Sequence, residues 1–333
     1  MPPPDLFSWT PQALPNTAAL LPDRFQRWFA ARGWSPREHQ LALLGKARDN
    51  RSALLIAPTG AGKTLAGFLP TLVELASPMA ADGKSLVSTG RSVKRAGGLH
   101  TLYISPLKAL AVDIARNLES PIAEMGLPVK VETRTGDTPV SRRQRQRRYP
   151  PDILLTTPEQ LALLLASDDA PFLFSSLRRI VLDELHALVT PKRGDLLSLD
   201  LARLWRIAPD VRAIGLSATV AEPEQLARFL MPQHKGKPAS ADIVVAGGAA
   251  APIVEMLDTK ERLPWAGHTA RHALGEMYEL IKRNKTTLVF VNTRSQAEML
   301  FQDFWRMNDD GLAIALHHGS LDVAQRRKVE DAM

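Results

Sequence analysis

One stretch of the chain has the residue types of a phosphate-binding loop. It reads Ala57-Pro58-Thr59-Gly60-Ala61-Gly62-Lys63-Thr64, follows a short apolar run and opens a helical pattern. This is the strand-to-helix context that such a loop needs, although Ala57 stands where the motif has its first glycine. Glycines let backbone N–H groups face phosphates, Lys63 would reach the β- and γ-phosphates, and Thr64 would hold magnesium. The motif predicts nucleotide binding; the plainer alternative is a strand-to-helix turn with a surface lysine.

A pair of acids follows a second apolar run. Asp183-Glu184-Leu185-His186 comes directly after residues 179–182. At the carboxyl end of a parallel strand these carboxylates can face the same phosphate site. Asp183 would position magnesium, mostly through water, Glu184 would polarise the attacking water as general base, and His186 would sense the γ-phosphate. Alone, the pair is equally an acidic N-cap; after a phosphate loop it predicts nucleotide hydrolysis.

A third group is informative only by its position. Ser217-Ala218-Thr219 follows the next apolar run along the chain, residues 213–216. Such triplets commonly cap helices. Here the triplet comes at the end of the strand that follows the acid pair, so Ser217 and Thr219 become candidate catalytic residues.

The elements that must position these residues form a βα alternation. Continuous apolar runs, rather than alternating ones, suit strands buried on both faces of a parallel sheet. The sequence therefore predicts an α/β fold with a doubly wound parallel sheet. The predicted strands are 53–57, 101–105, 129–133, 153–156, 180–182 and 213–216.

Length and composition set the wider limits. The chain has 333 residues, which at roughly 150 residues per domain suggests two domains. The net charge of +7 suits a polyanionic partner. The absence of cysteine excludes a disulfide framework, a zinc finger and a thiol nucleophile, and favours a reducing compartment. Neither a signal peptide nor a membrane span is recognisable, so we expect a cytoplasmic protein with no membrane partner.

Shifts in composition divide the chain. Residues 1–35 hold a proline-rich lead-in and a predicted helix at 23–32, which Gly33 would end. Residues 36–246 form the first domain, with a small-residue surface insertion at 77–98, and 247–270 form a linker region. Residues 271–333 begin a second domain with strands at 287–292 and 312–316 and helices at 295–307 and 322–333. Ser295, three residues before Glu298, predicts a capping box.

The order of these motifs resembles the superfamily 2 helicases. It is most similar to the Lhr group of DEXH-box proteins, and within it to the ligase-associated branch. The resemblance covers residues 34–333 and implies two RecA-like domains, the second incomplete here. Further segments that carry it are Ser105-Pro106-Leu107-Lys108-Ala109-Leu110, Thr135-Gly136-Asp137-Thr138, Thr156-Thr157-Pro158-Glu159, the 287–294 run ending in Thr293-Arg294, and His317-His318-Gly319-Ser320.

The resemblance also implies roles for matching positions. Gln40 would read the adenine edge with its amide, and Arg37 would lie against the base or ribose; the alternative for Gln40 is an exposed helix residue. Residues along a track for the nucleic-acid backbone would contact phosphates without reading sequence. That track comprises Pro106, Lys108, Gly136, Asp137, Thr157, Glu159, Thr293 and Arg294.

Two groups of charged residues are left outside the motifs. Residues 142–148 hold five arginines in seven positions. A solvated helix face ending before Pro150 is favoured for them over phosphate contact. Four histidines lack ligand spacing, so no metal site made of protein side chains alone is predicted; they are His100, His234, His268 and His272.

The function implied by the resemblance is an ATP-dependent helicase or translocase. It would use ATP and Mg²⁺, act on single-stranded or duplex nucleic acid, DNA or an RNA–DNA hybrid, and serve a DNA-repair-type role. An RNA helicase and a P-loop kinase are alternatives. The printed chain ends at Met333, before the family's motifs V and VI, whose arginines stabilise the transition state. We therefore expect slow hydrolysis, or a chain that binds nucleotide and nucleic acid without turnover. No protein partner is predicted.

Overall fold

The computed structural model describes residues 20–76, 98–189, 192–218, 220–234, 236–247, 253–259 and 270–332. Most of the predicted insertion, part of the predicted linker, and Thr219 lie outside these ranges. The chain divides into two compact units, Met1–Ala249 and Ala250–Met333. The finer boundaries proposed from composition stay a prediction.

A parallel sheet forms the centre of the first unit. Its strand order is β3-β4-β2-β5-β6-β1-β7, and every pairing is parallel. All residues of β1, β2, β4 and β5 are buried, which explains why their sequences are apolar apart from Thr101, Thr156 and Arg179 at strand ends. The strands are β1 Ala53–Ile56, β2 Thr101–Ile104, β3 Val131–Arg134, β4 Ile153–Thr156, β5 Arg179–Leu182, β6 Arg212–Ser217 and β7 Asp242–Val245.

Helices cover both faces of this sheet. One face packs against α1 to α4 around Phe25, Phe68 and Leu118. The other packs against α6 to α10 around Phe174 and Leu201. Each such fully buried side chain contributes about 1.5–3 kcal/mol. The helices of the first unit are α1 Asp23–Ala31, α2 Glu38–Arg48, α3 Lys63–Ala76, α4 Lys108–Glu124, α5 Val140–Arg148, α6 Pro158–Leu165, α7 Ala170–Phe174, α8 Leu185–Leu188, α9 Arg193–Ile207 and α10 Pro223–Phe229.

The predicted fold class is confirmed, with differences at the sheet's edges. The doubly wound α/β sheet is present. The first helix ends at Ala31 with Arg32 as C-cap, and Gly33, with φ +65°, follows at the C′ position as predicted. Strand β7 was missed because it is a half-exposed edge strand paired only with β1, and its apolar residues continue into a small-residue run. Strand β3 begins two residues later than predicted; it buries the polar Glu132 and Arg134, which an apolar pattern cannot identify.

The second unit is described mainly by helices. A 3₁₀ turn, Arg271–Ala273, precedes α11 Leu274–Arg283, followed by α12 Arg294–Arg306 and α13 Val323–Ala332. Tyr278, Leu300 and Phe304 form its small core. The helical predictions for 295–307 and 322–333 are confirmed within one or two residues. No described helix in either unit is long and apolar enough to cross a membrane.

Two predictions for the second unit are wrong. The runs 287–292 and 312–316 are described but form no strand, and Phe290 is 87% exposed. Strands need ladder partners to be stable, and none pairs with these runs among the described residues of the unit. The N-cap of α12 is Thr293 rather than Ser295, because the Thr293 hydroxyl accepts from the Gln296 N–H at 3.2 Å.

Candidate functional site

Three loops meet at one edge of the sheet. The strand order places β6 between β5 and β1. The phosphate loop follows β1, Asp183 and Glu184 follow β5, and Ser217 ends β6. Because the strands are parallel, all three segments lie at the carboxyl edge, where open α/β sheets bind their ligands. The fold therefore brings the phosphate loop together with the acid pair and Ser217, which follow it in the sequence by more than a hundred residues.

The phosphate loop has the backbone shape that its glycines allow. Gly60 has φ +80° and Gly62 has φ +75°, a region that residues with a Cβ rarely adopt. Lys63 is the first residue of α3 and is only 9% exposed. Its Nζ donates to the Ala57 carbonyl oxygen at 3.1 Å. The loop thus holds an ammonium group at the N-terminus of α3, and a helix N-terminus with a nearby positive charge suits phosphate binding.

The start of α2 is tied to this loop by two side chains, those of Arg37 and His39. Arg37 donates through Nη1 to the Gly60 carbonyl at 3.2 Å, and His39 donates through Nε2 to the Ala61 carbonyl at 2.9 Å. Gln40 is buried, and its Oε1 accepts from the Arg37 backbone N–H at 3.0 Å. Burial lowers the pKa of His39, so the ring stays neutral and keeps one N–H donor. Sequence reasoning missed His39; its place one residue before Gln40 was the available signal.

Asp183 sits in a closed hydrogen-bonding environment. The Tyr103 hydroxyl donates to its Oδ2 at 2.5 Å, and the Glu184 backbone N–H donates to its Oδ1 at 2.9 Å. Burial raises the pKa of Asp183, while the bond from Tyr103, the one from Glu184 and the charge of Lys63 oppose that rise. Burial and the Asp183 charge also raise the pKa of Tyr103, so the phenol remains a donor. Tyr103 was missed because it lies in a run read only as an apolar strand.

Glu184 and His186 are held differently. Glu184 adopts a left-handed backbone conformation with φ +47° and ψ +47° at the start of α8, a strained state for a residue with a Cβ. His186 lies with Nδ1 3.1 Å from the Ser217 hydroxyl and Nε2 3.5 Å from Glu184 Oε2. These contacts join the ends of β5 and β6. Thr219, the third predicted member of the Ser-Ala-Thr group, lies outside the described residues.

The oxygen donors at this edge fit magnesium. Thr64 supplies a hydroxyl and Asp183 a carboxylate, and Mg²⁺ is typically held by one or two such oxygens together with water and phosphate. Among the described residues, no group of three His, Cys, Asp or Glu could hold a metal by itself. The donor set therefore suits a cation that is shared with a bound nucleotide.

A second set of loops lies at the ends of β2, β3 and β4, which are neighbours in the sheet. The Arg193 guanidinium donates to the Pro106 carbonyl at 2.6 Å and to the Glu159 carboxylate at 2.8 Å. Lys108 pairs with Asp137 at 2.7 Å on the exposed surface. Glu159, predicted to contact nucleic acid, is thus the partner of an arginine. Sequence reasoning missed Arg193, because no recognisable motif surrounds its position at the start of α9.

The arginine-rich helix α5 supports the loop after β3 through hydrogen bonds to its backbone carbonyls. Arg143 donates to the carbonyls of Gly136 at 2.7 Å and Thr138 at 2.8 Å. Thr157 is buried at the start of α6. The predicted helix at the arginine run is confirmed, but its face is not merely solvated: Arg143 is partly buried and supports the loop. Arg145 likewise pairs with the buried Glu132.

The remaining predicted contacts lie in the second unit. Thr293 caps α12, and Arg294, the first residue of that helix, donates to the Ser320 hydroxyl. This links the two family segments at 293–294 and 317–320 within the unit. Their relation to nucleic acid stays a prediction.

Comparison with known proteins points to one family. The DEAD/DEAH box helicase profile matches residues 37–226. The chain is 34% identical over 331 residues to the "ATP-dependent helicase Lhr-Core protein 2" of Thermococcus barophilus, covering 94% of this chain and 37% of that protein. It resembles the structure of Mycobacterium smegmatis helicase Lhr bound to ssDNA and AMP-PNP at 33% identity, with a TM-score of 0.71 and coverage of 95% and 40%.

A further solved structure is similar over nearly the same length. The DUF1998 helicase MrfA bound to DNA shares 26% identity with a TM-score of 0.71, covering 96% of this chain and 43% of that one. The chain therefore spans about two fifths of the length of each of these proteins.

Proposed function

This chain belongs to the DEAD/DEAH box helicase family, and from that premise we propose that it binds ATP with Mg²⁺ and couples ATP hydrolysis to movement along a nucleic-acid strand. The observation that carries the proposal is the meeting of Lys63, Asp183, Glu184 and Ser217 at the carboxyl ends of three adjacent strands. A phosphate loop alone would suit many nucleotide-binding proteins. A phosphate loop that lies at the same edge of the sheet as a buried aspartate and a strained glutamate suits nucleotide hydrolysis.

The two carboxylates have different environments and so different proposed tasks. Both oxygens of Asp183 receive hydrogen bonds inside a buried setting, which suits a fixed ligand for Mg²⁺ or its waters. The Glu184 side chain keeps 34% of its surface exposed, which leaves it free to accept a proton from water as general base. When bound, Mg²⁺ supplies positive charge to the phosphates. Lys63 holds the same phosphates from the loop.

His186 and Ser217 are proposed to pass the state of this site on to the neighbouring loop. The His186 ring lies within 3.5 Å of Glu184 and 3.1 Å of Ser217. A change in the position of Glu184 would therefore alter the contact between β5 and β6. In this proposal, Thr219 acts with Ser217, and Arg37 and Gln40 bind the adenosine end. Its support is that Arg37 is bonded to the phosphate loop and that Gln40 is bonded to Arg37.

We propose DNA, single-stranded or as a hybrid with RNA, as the strand that is followed. Two similar structures, of Mycobacterium smegmatis Lhr and of MrfA, are named as complexes with DNA. The loops that hold Pro106, Lys108, Gly136 and Asp137 offer backbone groups and one ammonium group, which suit phosphate contact without base readout. Thr157, Glu159, Thr293 and Arg294 complete the proposed track. A role in DNA repair in the cytoplasm belongs to the same proposal and relies on the likeness to Lhr proteins.

Movement is proposed to follow from differential affinity. Two RecA-like domains would close on ATP and nucleic acid and reopen after hydrolysis, and each state would bind the strand with different affinity. Only such a difference can drive a cycle.

Steady-state ATPase measurements test the proposal. We expect a slow rate that rises on addition of single-stranded polynucleotide. Loss of a general base costs about 10²–10⁴-fold in kcat, so Glu184→Gln should abolish measurable hydrolysis while ATP binding is kept. Glu119→Gln, at an exposed position of α4, is the matched control and should leave the rate unchanged. A rate that ignores DNA and RNA alike would contradict the proposal, and stimulation by RNA alone would replace DNA as the substrate.

A further inference from the structure

We propose that Tyr103 is a positioning residue for the hydrolysis site, because its hydroxyl holds the Asp183 carboxylate in the orientation that Mg²⁺-nucleotide binding requires. This inference rests on the proposed ATPase function. Tyr103 lies in β2, just before Ser105, and belongs to none of the segments that carry the family resemblance. Its side chain is fully buried, so it cannot contact nucleotide or nucleic acid itself.

The register of the sheet brings the two residues together. Tyr103 pairs with Val181 across β2 and β5, and Asp183 follows Val181 by two residues. Side chains two residues apart in a strand point to the same face of the sheet. The backbone continues this alignment, because the Asp183 N–H donates to the Ile104 carbonyl at 2.9 Å. The phenol therefore reaches the carboxylate across adjacent strands, and its oxygen lies 2.5 Å from Oδ2.

The tyrosine is fixed in turn by the helix of the phosphate loop. Its ring stacks on Phe68 of α3 with centroids 5.2 Å apart and planes inclined by 26°. Lys63 begins the same helix. A rigid path thus runs from the phosphate loop through α3 and Phe68 to the phenol, and from there to the carboxylate. The arrangement fixes Asp183 relative to Lys63, although the two residues come from different strands and loops.

The two donors to Asp183 are not equivalent. The bond to Oδ1 comes from the next residue's backbone and moves with the loop. The bond to Oδ2 comes from Tyr103 in another strand, so it fixes the carboxylate relative to β2 rather than to its own loop. Without it, Oδ2 would lose its donor in a buried position, and the carboxylate would be free to rotate about its last side-chain bond. Outer partners of metal-binding groups typically contribute about 10–100-fold in metal affinity or activity.

The variant Tyr103→Phe removes the hydroxyl and keeps the ring on Phe68. We expect the gain in ATP affinity on adding Mg²⁺, measured by calorimetry with and without chelator, to fall about tenfold or more. The affinity for Mg²⁺-free nucleotide should stay the same, since Lys63 and the loop are untouched. Raising the Mg²⁺ concentration should restore part of the lost kcat. Tyr278→Phe is the matched control, because Tyr278 is also buried and donates to a carboxylate, Asp310, at 3.1 Å.

A double-mutant comparison separates positioning from general damage. In an Asp183→Asn background the carboxylate is already gone, so adding Tyr103→Phe should cause no further loss of the Mg²⁺-dependent gain. Equal losses in both backgrounds, or a Tyr103→Phe protein that matches wild type in Mg²⁺ dependence, would overturn the inference. If the unaltered chain binds no Mg²⁺-nucleotide, the proposed function fails instead, and the two failures are thereby distinct.

Discussion

Lys63 and Asp183 show how single charged residues are accommodated in the closed edge of the sheet. Both are more than nine-tenths buried, and burial of a charge is costly unless it is hydrogen-bonded. Lys63 donates to a backbone carbonyl, and Asp183 receives two donors. Each group is therefore hydrogen-bonded in place before any ligand arrives, which is the preorganisation that electrostatic catalysis requires.

Loss of the Lys63 charge should weaken nucleotide binding. For Lys63→Ala we expect ATP affinity to fall by about 2–4 kcal/mol, as when one partner of a desolvated charge pair is deleted. Calorimetry with Mg²⁺-ATP measures it. Lys46→Ala, which removes a lysine from the surface of α2, is the control and should bind ATP normally. Unchanged affinity in Lys63→Ala would refute the assignment of the phosphate loop.

At the scale of elements, α9 connects loops that the sheet alone does not join. Arg193, at its first turn, bonds the carbonyl of Pro106 before α4 and the carboxylate of Glu159 in α6. Charge-assisted bonds of this kind are about twice as strong as neutral ones. Burial would raise the pKa of Glu159, but its bonds, above all that from Arg193, hold this pKa below its usual value. The helix thus keeps two loops of the proposed track at a constant spacing.

Removal of the Arg193 side chain should weaken nucleic-acid binding more than the loss of one positive charge elsewhere does. We expect Arg193→Ala to weaken single-stranded DNA binding about tenfold, or about 1.4 kcal/mol. Arg116→Ala, an exposed arginine of α4, removes the same charge without touching the loops and should have a much smaller effect. Fluorescence anisotropy at constant salt compares them. Equal losses would show that Arg193 contributes only its charge.

A partly buried ion pair joins α3 to the amino end of strand β5. Arg179 of β5, which is 4% exposed, donates through Nε to Glu74 of α3 at 3.0 Å, and His100 lies 3.3 Å from the same carboxylate. Burial alone would raise the pKa of Glu74, yet the hydrogen bonds from His100 and Arg179 bring it below its ordinary value of 4.5. The folded state therefore favours the charged form of Glu74.

The linked pH dependence follows from that direction. A lowered folded pKa contributes stability that is present above pH 4.5 and lost as the pH falls through the folded value. We expect Glu74→Gln to cost about 3 kcal/mol at neutral pH, because it strands a buried guanidinium. Urea unfolding should show this difference shrinking below the ordinary pKa. A difference that grows on acidification, or one matched by the exposed Glu119→Gln, would contradict the account.

At the scale of the whole molecule, the two units differ in how fully they are built. The first has a seven-stranded sheet covered on both faces, whereas the described part of the second has helices around a small core. Every adenosine- and phosphate-facing position proposed from Arg37 to Ser217 belongs to the first unit. The nucleotide site that we propose therefore lies within the first unit.

Binding along a phosphate backbone has a recognisable salt dependence. With a net charge of +7, the chain should bind single strands with a log–log salt slope of about −0.7 for each phosphate neutralised. Affinity should be the same for oligonucleotides of equal length and scrambled sequence. Titrations at several salt concentrations provide the measurement. A strong preference for one base sequence at constant salt would argue for base readout instead.

Local chemistry explains which features were visible before any fold was known. Gly60 and Gly62 specify the turn of the phosphate loop, and continuous apolar runs specify buried strands, because backbone freedom and periodicity depend on neighbours within a few residues. The carboxyl-edge placement of Asp183 follows from the same parallel pattern.

Long-range contacts depend on the tertiary structure. Tyr103 and Asp183 lie 80 residues apart, and Pro106 and Arg193 lie 87 apart; only the strand order and register brought them within bonding distance. Segment 242–245 forms the edge strand β7 because it pairs with β1. The run at 287–292 forms no strand, since no ladder partner lies beside it among the described residues. The sequence of one segment does not encode whether such a partner is present.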